Sequence, residues 1–413
     1  MTKLAELVQL VSPDAETRSA LAAARVDLAH NRKAAAGRTF IGLYKSGGIG
    51  DLMQEAAFAA AVRRRYPDAY INLICRDLGQ DADGVPLVAN ILRGNPAIDG
   101  VTPIPHVAWQ RAVRAFYRDF DIFYEVQYAV RTFNWVDAAD QHRADLLFRP
   151  YEKYTTDFPA TSRNLGETQQ TQWEILAASS GFDVSENDLA IQVGELPKEL
   201  RRKRYVVVHS MAGGVALAKC APLTTMTALV ASFKKARIPC IQVGAPRDPE
   251  IRGALDYRGR TINVSAAIIE RARMLIDIEG GLGYVARAVG TQRAVFFGPT
   301  PASLFRFEGD IVLRNTRGGR PPCEPCWHAG PRWAVNCHKQ FPVCQNIPTD
   351  GAAVAEALIR HIRKVSAKRQ KAEPCSARRT QGPLSSPVVR RPAVQRRATP
   401  ATDSVRKRQG ARK

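Results

Sequence analysis

Residues 39–76 read TFIGLYKSGGIGDLMQEAAFAAAVRRRYPDAYINLICR, and the fold is decided in this stretch. TFIGLYK is a short apolar run of strand formers, and AYINLICR is a second one. Between them SGGIGD supplies a glycine-rich turn, and LMQEAAFAAAVRRRYP repeats its apolar residues at helical spacing. Strand, glycine turn, helix and strand make a βαβ unit, whose parallel crossover is right-handed. The alternation continues through a helical VPLVANILRG, VTPIP, a helical AWQRAVRAFYRDF and the strand DIFYEVQ. A doubly wound, Rossmann-like α/β domain is therefore expected over residues 37–193. Residues 129–164 show no clean period and are expected as loops and short helices facing a cleft.

On the N-terminal side, residues 1–36 read as an Ala-rich helical leader. On the C-terminal side, the polar GELPKELRRKR at 194–204 reads as a linker, after which the β/α pattern restarts. YVVVHS is a strand, APLTTMTALVASFKKA a helix, IPCIQVGA a strand, TINVS a short strand and AAIIERARML a helix. MLIDIEGGLGYVARAVGT runs strand, turn, helix, and RAVFFGPT is a strand with its turn. These predict a second Rossmann-like domain over 205–350, followed by an amphipathic helix at 351–365. Two such domains fit a chain of 413 residues. They should face a common cleft, because ligands of this architecture bind beyond the strand C-termini.

No apolar run is long enough to cross a bilayer. The start, MTKLAELVQLVSPDAE, lacks the long apolar core of a secretory signal. A cytoplasmic location is the expectation. Of the formal net charge of +21, residues 365–413 carry +12, from fourteen Lys and Arg against Glu373 and Asp403. Residues 366–413 hold few large apolar residues and are expected to be a disordered basic tail. The tail has no interleaved aromatics for base stacking, so a specific nucleic-acid partner is not expected. A peripheral contact with an anionic membrane, on the inner face of the cytoplasmic membrane, and a purely solvated extension both remain open.

Three constellations carry chemistry. In Gly47–Asp51, Gly48 and Gly50 allow close backbone approach at a helix N-terminus, where N–H groups and the dipole favour anions. Asp51 there reads either as a general base for an acceptor hydroxyl or as a helix cap. In the second domain, Gly280, Gly281, Leu282 and Gly283 open another helix after a strand. The third constellation is Cys323, Cys326, Cys337 and Cys344, spaced C-x2-C-x10-C-x6-C. Four thiolates suit tetrahedral zinc or iron in a closed structural site, and four reduced cysteines packed as small apolar groups are the alternative.

GGIGDLMQEAAFAAAVRRRYPDAYINLI, NPAIDGV, HS followed by KCAP, the segment from Met274 to Ala302 and CEPCW together resemble the bacterial heptosyltransferases of glycosyltransferase family 9. The resemblance spans residues 39–350 and rests on the order of individually weak motifs. It implies the GT-B fold and an inverting, metal-independent transfer of a hexosyl or heptosyl unit. The donor would be a nucleotide-diphospho-sugar, ADP-heptose or another. The acceptor would be a lipid-linked glycan, as in lipopolysaccharide or other surface-glycan assembly, or a protein such as an adhesin. By matching position, Asp51 takes the role of base, with Gly48 and Gly50 on the acceptor side. Lys219 takes the role of phosphate ligand, with His209 and Ser210 beside it; otherwise it is a solvated loop lysine. Glu279 stands where the family usually has Asp, ahead of Gly280 to Gly283, and Tyr284 where it usually has His. Gly298, Pro299 and Thr300 match a turn near the nucleotide, though FGPT is also an ordinary turn after a strand. No cofactor is implied for catalysis. Glu279 and Tyr284 keep two other readings open, a nucleotide-sugar epimerase and an inactive relative that binds a glycan or nucleotide.

Overall fold

The computed structural model describes residues 15–81, 83–105, 115–154, 164–213, 217–314, 326, 344 and 347–372. Two sheets organise it. The first contains β1 (Phe40–Lys45), β2 (Tyr70–Arg76), β3 (Gly100–Ile104), β4 (Ile122–Val126) and β5 (Val130–Asn134). Its order is β3-β2-β1-β4-β5, parallel except for β5, which runs antiparallel to β4. The second contains β6 (Val206–Val208), β7 (Cys240–Gln242), β8 (Leu255–Asp256), β9 (Leu275–Ile278), β10 (Arg293–Phe296) and β11 (Ile311–Leu313). Its order is β11-β10-β9-β6-β7-β8, parallel throughout. In each sheet the chain starts centrally, winds to one edge and then crosses back. The crevices at which the winding reverses lie between β1 and β4 and between β6 and β9, where such folds hold their ligands.

The helices are α1 (Ala15–Ala34), α2 (Ile49–Arg65), α3 (Leu87–Leu92), α4 (Ala138–Phe148), α5 (Gln172–Ser180), α6 (Leu223–Lys235), α7 (Ile262–Arg271), α8 (Gly281–Ala288), α9 (Ala302–Phe305) and α10 (Gly351–Ala372). Both central strands, β1 and β6, are buried along their whole length; β6 is an unbroken apolar run, and β1 is one up to Lys45 at its end. α1 buries Ala24 and Leu28 in a cluster with Phe40, Tyr70 and Phe123 of the first sheet and Phe120 just before β4. A larger cluster runs across both halves, joining Leu52 and Met53 of α2, Trp173 of α5, Val207 of β6 and Val285 of α8. No helix among the described residues is long and apolar enough to cross a membrane.

The two-sheet architecture agrees with the sequence expectation, and three local readings are corrected. TINVS opens α7 rather than forming a strand: the Thr261 hydroxyl accepts from the Val264 N–H at 3.3 Å, and Ile262, Ala266 and Ile269 turn one face to the core. Its β-branched composition mimics a strand, but the cap and the i, i+4, i+7 spacing win. Residues 129–164 hold a strand, β5, beside the short helix α4, where loops and short helices alone are expected. β5 alternates buried Val130, Thr132 and Asn134 with exposed Arg131, and Asp137 caps α4 by accepting from the Ala139 and Asp140 N–H groups. The last helix continues past residue 365 to Ala372. The leader before Ala15 and the tail after Ala372 lie outside the described residues.

Candidate functional site

The first crevice is built by the turn after β1. Gly47 there has φ 145°, a conformation that favours glycine, and the position of a side chain on it is filled by the Asp51 carboxylate. Asp51 lies in the first turn of α2. Its Oδ2 accepts from the Gly48 N–H at 2.9 Å, while Oδ1 stands 3.5 Å from Lys45 Nζ. One oxygen thus caps the helix and the other faces an ammonium. The Lys45 side chain is only 3% exposed against 43% for Asp51, so the carboxylate is the member that solvent or a ligand can reach. Lys45 Nζ also donates to the Gln127 carbonyl at 3.1 Å, tying β1 to the end of β4. One helical turn beyond Asp51, Glu55 is fully buried, and neither of its carboxylate oxygens has a well-formed hydrogen bond among the described residues. Burial pushes its pKa well up, and the nearby Lys45 charge opposes this only in part.

The second crevice collects His209 after β6 and Asp277 and Glu279 on and after β9. His209 Nδ1 lies 2.7 Å from Asp277 Oδ1, and Nε2 lies 3.6 Å from Asp248 Oδ2. Burial alone would lower the imidazole pKa. The charges of Asp277 and Asp248, with the hydrogen bond to Asp277, outweigh it and push the value up to about 9. The protonated ring therefore stabilises the fold fully below the unfolded value of about 6.5, and this stabilisation is lost as pH rises through about 9. Melting temperatures measured between about pH 7 and 10 should fall for the wild type and fall less for His209→Asn. Parallel pH slopes for the two proteins would refute the assignment.

The Ser210 carbonyl accepts from the Ala221 N–H at 3.0 Å, which anchors the loop carrying Lys219. Lys219 Nζ forms an ion pair with Glu279 Oε2. Gly280 caps α8, whose first turn holds Gly281, Leu282 and Gly283, with Leu282 buried. The Gly298–Pro299–Thr300 turn follows β10, and Thr300 is fully buried. A Cβ on Gly298 would come within 3.0 Å of Cys344 Cβ and 3.2 Å of the Ala218 carbonyl, so this turn, the Lys219 loop and Cys344 stand together. Cys326 and Cys344 are the two described members of the cysteine cluster; Cys323 and Cys337 lie outside the described residues.

The two glycine turns meet tip to tip. A Cβ on Gly50 would lie 2.7 Å from the Tyr284 ring, and one on Gly281 would lie 2.8 Å from Ile49 Cβ. Tyr284 is buried, its hydroxyl accepts from Gln172 Nε2 at 2.6 Å, and its ring meets Phe307 edge-on at 5.1 Å. Burial, reinforced by the Glu279 and Asp51 charges, pushes its pKa far up. Where the resemblance expects a histidine, this chain has a neutral brace between its halves. The site also contains residues that the sequence reading did not single out: Lys45, Glu55, Tyr128, Gln172, Asp248 and Asp277. Lys45 beside the glycine turn and Asp277 as the lone charge in a buried strand were visible signals; Tyr128 and Gln172 gave none.

No protein-family model matches the sequence, and none of the curated proteins matches it significantly. Among solved structures, one described as the glycosyl transferase family 9 from Veillonella parvula matches with a TM-score of 0.50 and 15% identity, covering 79% of this chain and 98% of that one. The iron-containing dodecameric glycosyltransferase TibC from enterotoxigenic E. coli matches with a TM-score of 0.51 and 14% identity, covering 80% of this chain and 77% of its own. A second TibC structure, described as a heptosyltransferase in complex with ADP-D-β-D-heptose, gives 0.52 and 14%, covering 79% and 76%. By fold, then, this chain is built like the family 9 glycosyltransferases of known structure: a GT-B arrangement of two Rossmann-like halves.

Proposed function

We propose that the protein transfers a glycosyl unit from a nucleotide-diphospho-sugar to an acceptor hydroxyl. The supporting observation is the contact of Gly50 with Tyr284 and of Gly281 with Ile49, which sets the Asp51 turn against the start of α8. The acceptor oxygen attacks the anomeric carbon from the face opposite the diphosphate. Asp51 takes its proton, the bond from carbon to the diphosphate oxygen breaks, and the nucleoside diphosphate leaves with the electron pair. The anomeric configuration inverts. Lys219 and the N–H groups at the start of α8 stabilise the charge on the leaving group, so the reaction is assigned no divalent cation. Glu279, paired with Lys219, accepts hydrogen bonds from the donor.

ADP-heptose is the first donor to test, because TibC is described with it. The acceptor assigned is a hydroxyl of lipopolysaccharide or another surface glycan, with a protein hydroxyl as the second candidate. Cys323, Cys326, Cys337 and Cys344 are assigned a structural metal, since four thiolates are a fitting donor set for tetrahedral zinc or iron. Through the contact of Cys344 with Gly298, such a site would steady the donor-side turn.

A thermal-shift screen of nucleotide-diphospho-sugars tests the reading. A donor present at about a hundredfold its Kd adds roughly 2.7 kcal/mol to stability. The wild type should melt higher with that donor, and Lys219→Ala should lose most of the shift. Failure of every nucleotide sugar to shift the wild type would overturn the proposal.

A further inference from the structure

We propose that Tyr128 recognises the sugar of the donor, its phenolic O–H donating to a hydroxyl of the unit being transferred. The inference rests on the glycosyl-transfer reading and assigns a role to a residue outside the motifs. Tyr128 follows β4, on the second wall of the first crevice. The backbone around it is fixed twice: the Gln127 carbonyl accepts from Lys45 Nζ at 3.1 Å, and the Gln127 N–H donates to the Ala129 carbonyl at 3.1 Å. The Tyr128 ring centroid is 5.9 Å from Lys45 Nζ, the same ammonium that faces Asp51. Tyr128 also packs against a cluster that includes Ile175 of the first half and Leu304 of the second. Tyr128 thus bridges the two halves beside the place where Gly50 meets Tyr284.

Transfer places three groups in line: the acceptor oxygen, the anomeric carbon and the diphosphate oxygen. Asp51 marks the first and Lys219 with Glu279 the last, so the sugar lies between them. The approach of the ring to Lys45, the ammonium that faces Asp51, and its packing with Leu304 of the second half set Tyr128 along that interval. Burial, before the charges of Asp51 and Glu279, pushes its pKa far up, so the hydroxyl remains a proton donor at neutral pH. Asp51 and Glu279 bring only acceptors when ionised. A polyhydroxylated sugar needs donors as well, and Tyr128 supplies one from a rigid ring.

The test is calorimetric titration of wild type and Tyr128→Phe with ADP-heptose, ADP-glucose and UDP-glucose, and with ADP and UDP. Phenylalanine keeps the ring packing, and an unchanged melting temperature without ligand confirms that the variant folds. The expected result is equal affinity of both proteins for the nucleoside diphosphate, with about tenfold weaker binding of the matching nucleotide sugar by the variant. An unchanged ratio of sugar-nucleotide to nucleotide affinity overturns the Tyr128 role while leaving glycosyl transfer standing. Absence of binding of all five ligands to the wild type overturns the transfer reading and this inference with it.

Discussion

Asp51→Asn lowers the transfer rate by roughly 10²–10⁴-fold, the range for loss of a general base, while nucleotide binding stays near that of the wild type. The variant separates the helix cap seen in the structure from the base role proposed for this carboxylate. An asparagine carbonyl can still accept from the Gly48 N–H, so the start of α2 survives. What disappears is the proton acceptor on the other oxygen, together with the carboxylate charge facing the buried Lys45 ammonium, so some stability is lost with it. Initial rates with saturating donor, set beside a melting curve, give both readouts. Retention of more than about a tenth of the wild-type rate would remove Asp51 from the mechanism.

Asp310→Ala has the opposite signature, with the main loss in stability. The Arg293 and Asp310 side chains are 4% and 3% exposed and ion-paired, with Arg293 Nε donating to Asp310 Oδ1 at 2.9 Å. The Asp310 carboxylate also accepts from the Phe307 N–H at 2.8 Å, and the guanidinium carbon lies 4.1 Å from the Phe307 ring centroid. Removing the carboxylate strands a buried guanidinium, at a cost of about 3–5 kcal/mol. The same guanidinium occupies the place of a side chain on Gly283, directly against α8. A shift of Arg293 should therefore move the first turn of that helix and, if the proposed phosphate contact is made there, weaken nucleotide binding as well. Urea unfolding followed by far-UV circular dichroism measures the first effect. A loss below about 1 kcal/mol would mean that the cavity rehydrates and the pair is not structural.

The architecture was legible because its signals are local. A glycine turn between an apolar strand and an amphipathic helix fixes β1, α2 and β2, and the same sequence of signals repeats at Met274–Thr291. Readings failed where composition and capping disagree, as in TINVS, or where a period-two pattern is short, as in β5. The candidate site divides in the same way. Asp51, Lys219 and Glu279 sit in motifs, and the structure carries them to one region. Tyr284 reads in sequence as a departure from a titratable group; only the cross-half contacts with Gly50 and Gln172 show it as a brace. Glu55 lies in an ordinary helical stretch, and nothing in its neighbours announces a buried carboxyl. Tyr128 acquires its surroundings from Lys45, Ile175 and Leu304, each far from it in the chain, which no short window of sequence contains.

The last helix has a consequence for how the molecule is made. α10 inserts Ala355, Leu358, Ile359 and Ile362 among Val206, Val208, Leu229 and Phe296, and its first residue, Gly351, abuts the Thr225 carbonyl. The interior on that side lacks one wall until translation has passed residue 362. The leading sheet, whose strands all lie before residue 135, is synthesised well ahead of it. During synthesis the half built on the second sheet is therefore the later one to close, and a nascent chain halted before that helix would present an open apolar trough to chaperones.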